Sequence, residues 1–357
     1  MTEALAPPEP ADEGRPLVDP QALSTYLDDR LPGEGTFQVE RHRAGHSNET
    51  FFLRRSGHQW VLRRPPRGIF LPTAHDVMRE HRVLEALADQ PVRAPRPVLA
   101  CRDISVIGAP FYVMEMVEGT VVRDRLPTFV DEGPDVHRRA IGEELVDTLV
   151  ELHAVDWRAA GLEGWGRAGG YLDRQLRRWI GQLTIATRFS RPLPELFEVG
   201  EWLAERVPSS PPSTIVHGDY KLDNVMLAPD EPVRIAAILD WEMSTIGDPL
   251  ADLGYLLSFW REPGDPPDPV LIEQVELTRL PGFSSREGLL RRYSERSGRR
   301  VGDLTWYVVL ATWKLAILLE GSYARHLAGV TDDPFFAELE RGVPALARRA
   351  LEVAGAG

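Results

Sequence analysis

Between residues 217 and 242 the chain gathers groups able to take a proton and hold a hard cation. His217-Gly218-Asp219-Tyr220-Lys221-Leu222-Asp223-Asn224 is one polar run, and Ile238-Leu239-Asp240-Trp241-Glu242 brings a further carboxylate from the end of an apolar stretch. Oxygen donors with a single histidine suit Mg²⁺ better than zinc. An Asp five residues ahead of an Asn, with another Asp sixteen residues further on, is an arrangement used for phosphoryl transfer. One Asp accepts the proton of the attacking hydroxyl, and the Asn and second Asp hold the metal on the phosphates. Taken singly, Asp219 reads as a turn residue and Asn224 as a left-handed turn position; together with Asp240 they read as chemistry. A metal-dependent hydrolase on His217, Asp219 and Asp240 would need more histidines nearby than this stretch supplies.

The two runs, as H-G-D-x-x-x-x-N followed by [IL]-D-W-E, resemble the aminoglycoside phosphotransferase family, which has a protein-kinase-like fold. The similarity is strongest to the subgroup that includes the phosphotransferase domain fused to some acyl-CoA dehydrogenases. It is carried also by Gly45-His46-Ser47-Asn48-Glu49-Thr50-Phe51, Val61-Leu62-Arg63-Arg64-Pro65-Pro66, Tyr171-Leu172-Asp173-Arg174-Gln175 and Gly247-Asp248-Pro249-Leu250-Ala251-Asp252-Leu253-Gly254, in order from about residue 20 to 345. The resemblance implies Asp219 as catalytic base, Asn224 and Asp240 as Mg²⁺ ligands, and His217 as a structural residue of the loop. It places Lys221 where many protein kinases have a lysine that reaches the transferred phosphate, and gives Asp252 the task of bracing the catalytic loop through its backbone.

Strand parity bears on the nucleotide side. Along Gln59–Arg64, Val61 and Arg63 share one face, Trp60 and Leu62 the other. In a kinase-like lobe Val61 would cover the adenine and Arg63 would reach the phosphates, with Glu80 on the following helix as its partner; Arg64 is the alternative contact. Protein kinases have lysine at this strand position, so arginine here exchanges a compact ammonium for a planar fork. Ser47 and Asn48 would lie in the phosphate-covering turn. The carbonyl of Glu115 and the amide of Val117, in a segment resembling the kinase hinge, would pair with adenine. The implied cofactors are ATP (or GTP) and Mg²⁺.

The acceptor would be a small hydroxylated molecule facing Asp219, with Arg174, Trp241, Trp313, Glu320 and Tyr323 as candidate contacts. The subgroup points to a hydroxyacyl-CoA-like or other hydroxylated metabolite; an aminoglycoside kinase and a non-catalytic nucleotide-binding module are the alternatives. A protein kinase is disfavoured, because no Phe-Gly follows Asp240 and no Ala-Pro-Glu closes an activation segment.

The elements that must position these groups read as an α+β, protein-kinase-like two-lobe fold. An antiparallel β-rich N-lobe with one long helix would span 20–118, a larger helical C-lobe 119–357, and 1–19 would form a flexible tail. Asp19-Pro20 signals a capped helix. Strands are expected at 36–41, 50–55 and 59–64, with a hairpin at Ser56-Gly57-His58, and then at 97–102 and 111–116. Helices are expected at 73–88 and 141–153, with two more within 172–206. Short strands at 214–216 and 235–239 flank the polar loop, and helices follow from about 250. The run Trp306–Leu319 carries Lys314, is too short and charged for a membrane span, and reads as a buried helix.

Composition agrees with a globular enzyme. Of 357 residues 43% are hydrophobic and 27% charged, and one cysteine, Cys101, excludes an intrachain disulfide. No h-region marks the N-terminus, so a cytoplasmic protein is expected, without nucleic-acid or membrane partners. The net charge of −13 fits that expectation. Within 41–70, however, seven arginines face one acid, a local +6 on the strands where a triphosphate would lie.

Overall fold

The computed structural model describes residues 16–42, 48–66, 76–268, 270, 273–329 and 334–356. The chain divides into two compact units. One holds the described residues up to Glu118 together with Leu239–Glu242; the other holds Gly119–Ile238 and the chain from Met243 onward.

The first unit is built on a five-stranded antiparallel sheet. Helix α1 (Pro20–Leu27) precedes β1 (Gln38–His42), β2 (Glu49–Arg55) and β3 (His58–Arg64); α2 (Val77–Leu87), β4 (Pro97–Cys101) and β5 (Phe111–Glu115) follow. The strand order is β1-β2-β3-β5-β4. Asp19 caps α1 with Oδ1 on the amides of Gln21 and Ala22. The β2–β3 hairpin turns on Ser56 and Gly57, both with positive φ (48° and 80°), so that Arg55 pairs with His58. That handedness matches the twist of the flanking strands, and glycine adopts it without steric cost.

Parity then sorts the sheet. Phe51, Leu53, Trp60, Leu62, Phe111 and Val113 join Leu23 and Leu27 in one apolar core. Each such buried side chain contributes roughly 1.5–3 kcal/mol. The opposite face aligns Thr50 with Arg63 and Phe52 with Val61, and Val61 and Arg63 with Met114 and Tyr112. Helix α2 begins at Val77 rather than 73, because Asp76 leaves helical geometry to accept the amides of Met78 and Arg79. Residues 73–75 lie outside the described ones.

The second unit is mainly helical. It contains β6 (Thr120–Val121), α3 (Thr128–Asp131), α4 (Asp135–His153), α5 (Tyr171–Phe189), α6 (Pro194–Glu205), β7 (Thr214–Val216), β8 (Val225–Leu227), β9 (Ile235–Ile238), β10 (Thr245–Gly247), α7 (Pro249–Ser258), α8 (Glu273–Leu277), α9 (Arg286–Ser297), α10 (Thr305–Leu327) and α11 (Pro334–Ala356). The strands on either side of the polar loop belong to different sheets. β7 pairs with β10, whereas β8 joins β9 and β6. β6, β8 and β10 were not among the expected strands. Segments this short carry too little alternation to be read regularly; β7, equally short, was expected because it leads into the polar loop.

Helix α10 contains the apolar run. Trp306 and Trp313, two turns apart on one face, donate their ring N–H groups to the carbonyls of Leu203 (3.0 Å) and Leu196 (2.7 Å) on α6. Among the described residues no helix is long and apolar enough to cross a membrane.

Candidate active site

The expected site residues fall into two groups, one in each unit. In the first unit the centre is Arg63. Its Nη2 lies 3.1 Å from Asp240 Oδ1 and 3.6 Å from Glu80 Oε1. Glu80 is buried on α2 and also accepts the Trp241 amide, at 3.3 Å. Asp240 holds a left-handed backbone (φ 62°), a conformation that side-chain-bearing residues adopt at some cost and that is found at functional positions. Burial disfavours the charge on Arg63, but Glu80 and Asp240 outweigh it and hold its pKa above the ordinary arginine value. Burial pushes Glu80 up from the usual carboxylate range, against the pull of Arg63.

Arg64 points to other partners. Its donors go to the backbone carbonyls of Leu17, Pro65 and Ile107. Of the two adjacent arginines, Arg63 is therefore the one on the carboxylate side. Asn48 is buried and donates to Glu242 Oε2 at 3.3 Å; Ser47 lies outside the described residues. Val61 is buried on the Arg63 face opposite Met114. The Glu115 amide donates to Arg96 O (2.8 Å). Trp241 is buried in this unit, 1% exposed, so its ring is packing material there.

In the second unit the loop from His217 to Asn224 carries the other group. Gly218 has φ 84°, and a Cβ there would come within 2.6 Å of Met243 O, so the turn requires glycine. Asp252, on the first turn of α7, accepts the amides of His217 (Oδ2, 2.6 Å) and Gly218 (Oδ1, 2.7 Å). Behind it, His153 Nε2 meets Asp252 Oδ2 at 3.3 Å, and His153 Nδ1 meets the Tyr293 hydroxyl at 2.8 Å. Burial lowers the His153 pKa, so a neutral ring donates to Asp252 and accepts from Tyr293. Although burial pushes Asp252 up, the His153 hydrogen bond, with His217 and the Gly218 amide, brings it below the usual range. His217 is fully buried, and its Nδ1 accepts the Asp219 amide at 3.3 Å.

Asp219 is thereby presented on a fixed backbone, and Asn224 fixes its side chain. The Asn224 amide donates to Asp219 O (2.8 Å) and Oδ2 (2.6 Å). Lys221 Nζ lies 2.8 Å from Asp223 and 3.8 Å from Asp219. Burial alone would raise the Asp219 pKa. Lys221, Lys314, a hydrogen bond from Tyr255 and His217 outweigh it, so the carboxyl is held below the usual range and stays ionised.

Lys314 and Tyr255 were not foreseen as site residues. Lys314 donates to Gly218 O from α10, and its ammonium sits 4.6 Å from the Tyr255 ring centroid. The available signal was a lysine inside an otherwise apolar helix, since buried lysines are rarely left without a partner. Other candidates lie apart from Asp219's own hydrogen-bond partners. Arg174 donates to the carbonyls of Arg167 and Gly169. Trp313 is fully buried and bonded to α6, which makes it core rather than a substrate contact. Glu320 pairs with Arg191 (3.1 Å), whose guanidinium stacks 4.5 Å over Tyr323.

The profile of the phosphotransferase enzyme family matches residues 38–289. The chain belongs to that family. Acyl-CoA dehydrogenase family member 11 of Gallus gallus is 36% identical over 346 residues, 94% of this chain and 43% of that protein. The Homo sapiens protein of the same name is 36% identical over 319 residues, 87% of this chain and 40% of its own length. The chain thus spans about two fifths of the length of the curated relatives it matches. Among solved structures, a putative aminoglycoside phosphotransferase from Ralstonia eutropha JMP134 superposes with a TM-score of 0.76 at 31% identity, covering 95% of this chain and 98% of that one. Choline kinase from Cryptosporidium parvum Iowa II, 13% identical, shares the fold alone, with a TM-score of 0.62 over 95% of this chain and 97% of its own. The chain thus shares its family and its kinase-like architecture with phosphotransferases.

Proposed function

We propose that the chain is a small-molecule kinase that moves the γ-phosphoryl group of ATP or GTP to the hydroxyl of a hydroxyacyl-CoA-like or other hydroxylated metabolite, a reading supported by relatives named as acyl-CoA dehydrogenase family members. One observation carries this reading: Asp219, ionised and oriented by Asn224, on a loop whose backbone Asp252 holds through two amides. Phosphoryl transfer asks for position more than for basicity, because its transition state involves little covalent chemistry for the protein to perform. A low-pKa carboxylate that cannot rotate meets that demand: it aligns the acceptor hydroxyl and takes its proton as the bond to phosphorus forms.

Mg²⁺, when bound, neutralises phosphate charge. Asn224 and Asp240 are the residues that would hold it. Asn224 fits, because its amide nitrogen is engaged by Asp219 and its hard amide oxygen lies on the other branch; Asp240 adds a carboxylate. Arg63, kept charged by Glu80 and Asp240, would meet the phosphates. Val61 would cover the adenine, and the Glu115 carbonyl and Val117 amide would pair with its edge. Lys221, beside Asp219, would reach the transferred group.

Asp219→Asn tests the reading. Transfer from radiolabelled ATP to a hydroxylated acceptor should fall by about 10²–10⁴-fold, while ADP affinity measured by calorimetry stays within a few-fold. Chelation of Mg²⁺ should stop transfer, and its return should restore it. Full turnover by Asp219→Asn overturns the assignment.

A further inference from the structure

The polar backbone groups that lead into Asp219 are held one by one. Asp252 Oδ1 accepts the Gly218 amide at 2.7 Å, and His217 Nδ1 accepts the Asp219 amide at 3.3 Å. Between them lies the Gly218 carbonyl, which accepts from Lys314 Nζ on α10. That carbonyl and the Asp219 amide belong to one peptide plane, so fixing the first orients the second. Gly218 sits at φ 84°, and a glycine passes between backbone regions that side chains forbid. It is therefore the point at which this plane would rotate if nothing held it.

Lys314 has little else to do. The residue is 7% exposed, on a helix that is apolar around it. Among the described residues no carboxylate comes within ion-pair distance of its ammonium. The ammonium rests against the rings of Tyr255, at 4.6 Å, and Trp179, at 5.7 Å, which favour a cation without competing for its hydrogen bonds. The cavity beside it measures about 20 Å³, room for one water. Lys314 thus acts on the loop and not on a bound acceptor.

Keeping a charge there is unfavourable. Burial depresses the Lys314 pKa to about 8, Arg178 and Lys221 add to the depression, and Asp219 and Asp252 offset only part of it. A methionine would pack in the same space with no charge to bury. Tyr255 supplies a second link to the reacting group. Its ring carries the ammonium, and its hydroxyl donates to the Asp219 carboxyl.

We propose that Lys314 is a positioning residue for phosphoryl transfer: it holds the Gly218 carbonyl while Asp252 holds the Gly218 amide, and so fixes the peptide plane from which Asp219 projects. This deepens the phosphotransfer reading and rests on it. The catalytic loop is then held from two helices, α7 at an N–H and α10 at a C=O.

The test uses the full chain and two readouts. The first needs no acceptor. In amide exchange followed by mass spectrometry, the amides of residues 217–221 should exchange at least about tenfold faster in Lys314→Met than in wild type, with β9 unchanged, while Lys314→Arg stays near wild type. The second is transfer from ATP with Mg²⁺ to hydroxyacyl-CoA esters, polyols and hydroxy acids. Lys314→Met should lose about ten- to a hundredfold in kcat, with KM for ATP and acceptor little changed, and Lys314→Arg should recover most of the loss. A lysine that only supported α10 would lower stability without this split. Should Lys314→Met not fold, the wild type decides by nuclear magnetic resonance. Below its pKa the isotope-labelled ammonium should exchange slowly and show a scalar coupling to the labelled Gly218 carbonyl. Unchanged exchange at 217–221 in Lys314→Met, a loss carried by KM, equal losses in the Met and Arg variants, or an ammonium without that coupling each overturns the positioning role and leaves phosphotransfer standing. Transfer by the wild type to none of the acceptors overturns the phosphotransfer reading, and the catalytic purpose of Lys314 with it.

Discussion

At the scale of single residues the site is a problem of charge held still. Asp219 keeps its charge because lysines and a tyrosine hydroxyl outweigh its burial; Lys314 partly loses the preference for its own charge because burial outweighs Asp219 and Asp252. That asymmetry has a sign that can be measured. A lysine whose pKa drops from the ordinary value of roughly 10.4 to about 8 on folding binds fewer protons in the native than in the unfolded state between those limits. Its penalty is present in full below pH 8 and is relieved as pH rises toward 10.5. The melting temperature of the wild type should therefore hold up better than that of Lys314→Met as pH is raised from 8 to 10. Parallel curves for the two proteins would remove the burial argument. Asp219 and Asn224 could be read together because the polar run is short and their bond closes within the loop, whereas the bracing by Asp252 followed only from the family resemblance. Lys314 and Tyr255 were not, since what makes Lys314 matter is a carbonyl 96 positions away.

At the scale of elements, the sheet and the helices were legible wherever the apolar period had room to repeat. The β2–β3 hairpin follows from Ser56-Gly57, and the division of Val61 and Arg63 from Trp60 and Leu62 follows from strand parity alone. The start of α2 was not legible: Thr73 and Asp76 both read as helix starts, and the cap at Asp76 decides. The tryptophans of α10 show the other side of the same rule. Their spacing of two turns fits a binding platform and a packing seam equally, and the partner helix settles it: both ring N–H groups end on carbonyls of α6. Trp313→Ala should cost about 3–5 kcal/mol, seen as a lower urea midpoint; Trp313→Phe should recover most of the packing and leave the Leu196 carbonyl without that donor. A loss below about 1 kcal/mol in Trp313→Ala would mean that the seam closes on its own.

At the scale of the whole molecule, net charge is a poor guide to what the chain binds. The total of −13 coexists with a local +6 over 41–70 and with an arginine-bearing α5. Screening over roughly 8–10 Å makes the near charges count and the distant excess fade. Relatedness behaves similarly. The resemblance to phosphotransferases covers nearly the whole chain, whereas the chain itself matches about two fifths of its longer relatives. Family and fold were therefore open to a reading of motifs, and the identity of the acceptor was not.

The four residues Leu239–Glu242 belong with the first unit, although they are joined in sequence to the second. Arg63 and Asp240 stand 177 positions apart. During synthesis the ribosome therefore completes the sheet long before it makes the carboxylate that Arg63 faces. Chain growth at about 5–20 residues per second leaves an interval of roughly ten to thirty-five seconds in which Arg63 and Glu80 lack Asp240. A nascent chain released at Glu118 should accordingly show faster amide exchange along β3 and α2 than the same residues in the finished protein. Equal protection in the two would mean that the first unit matures without waiting for its last segment.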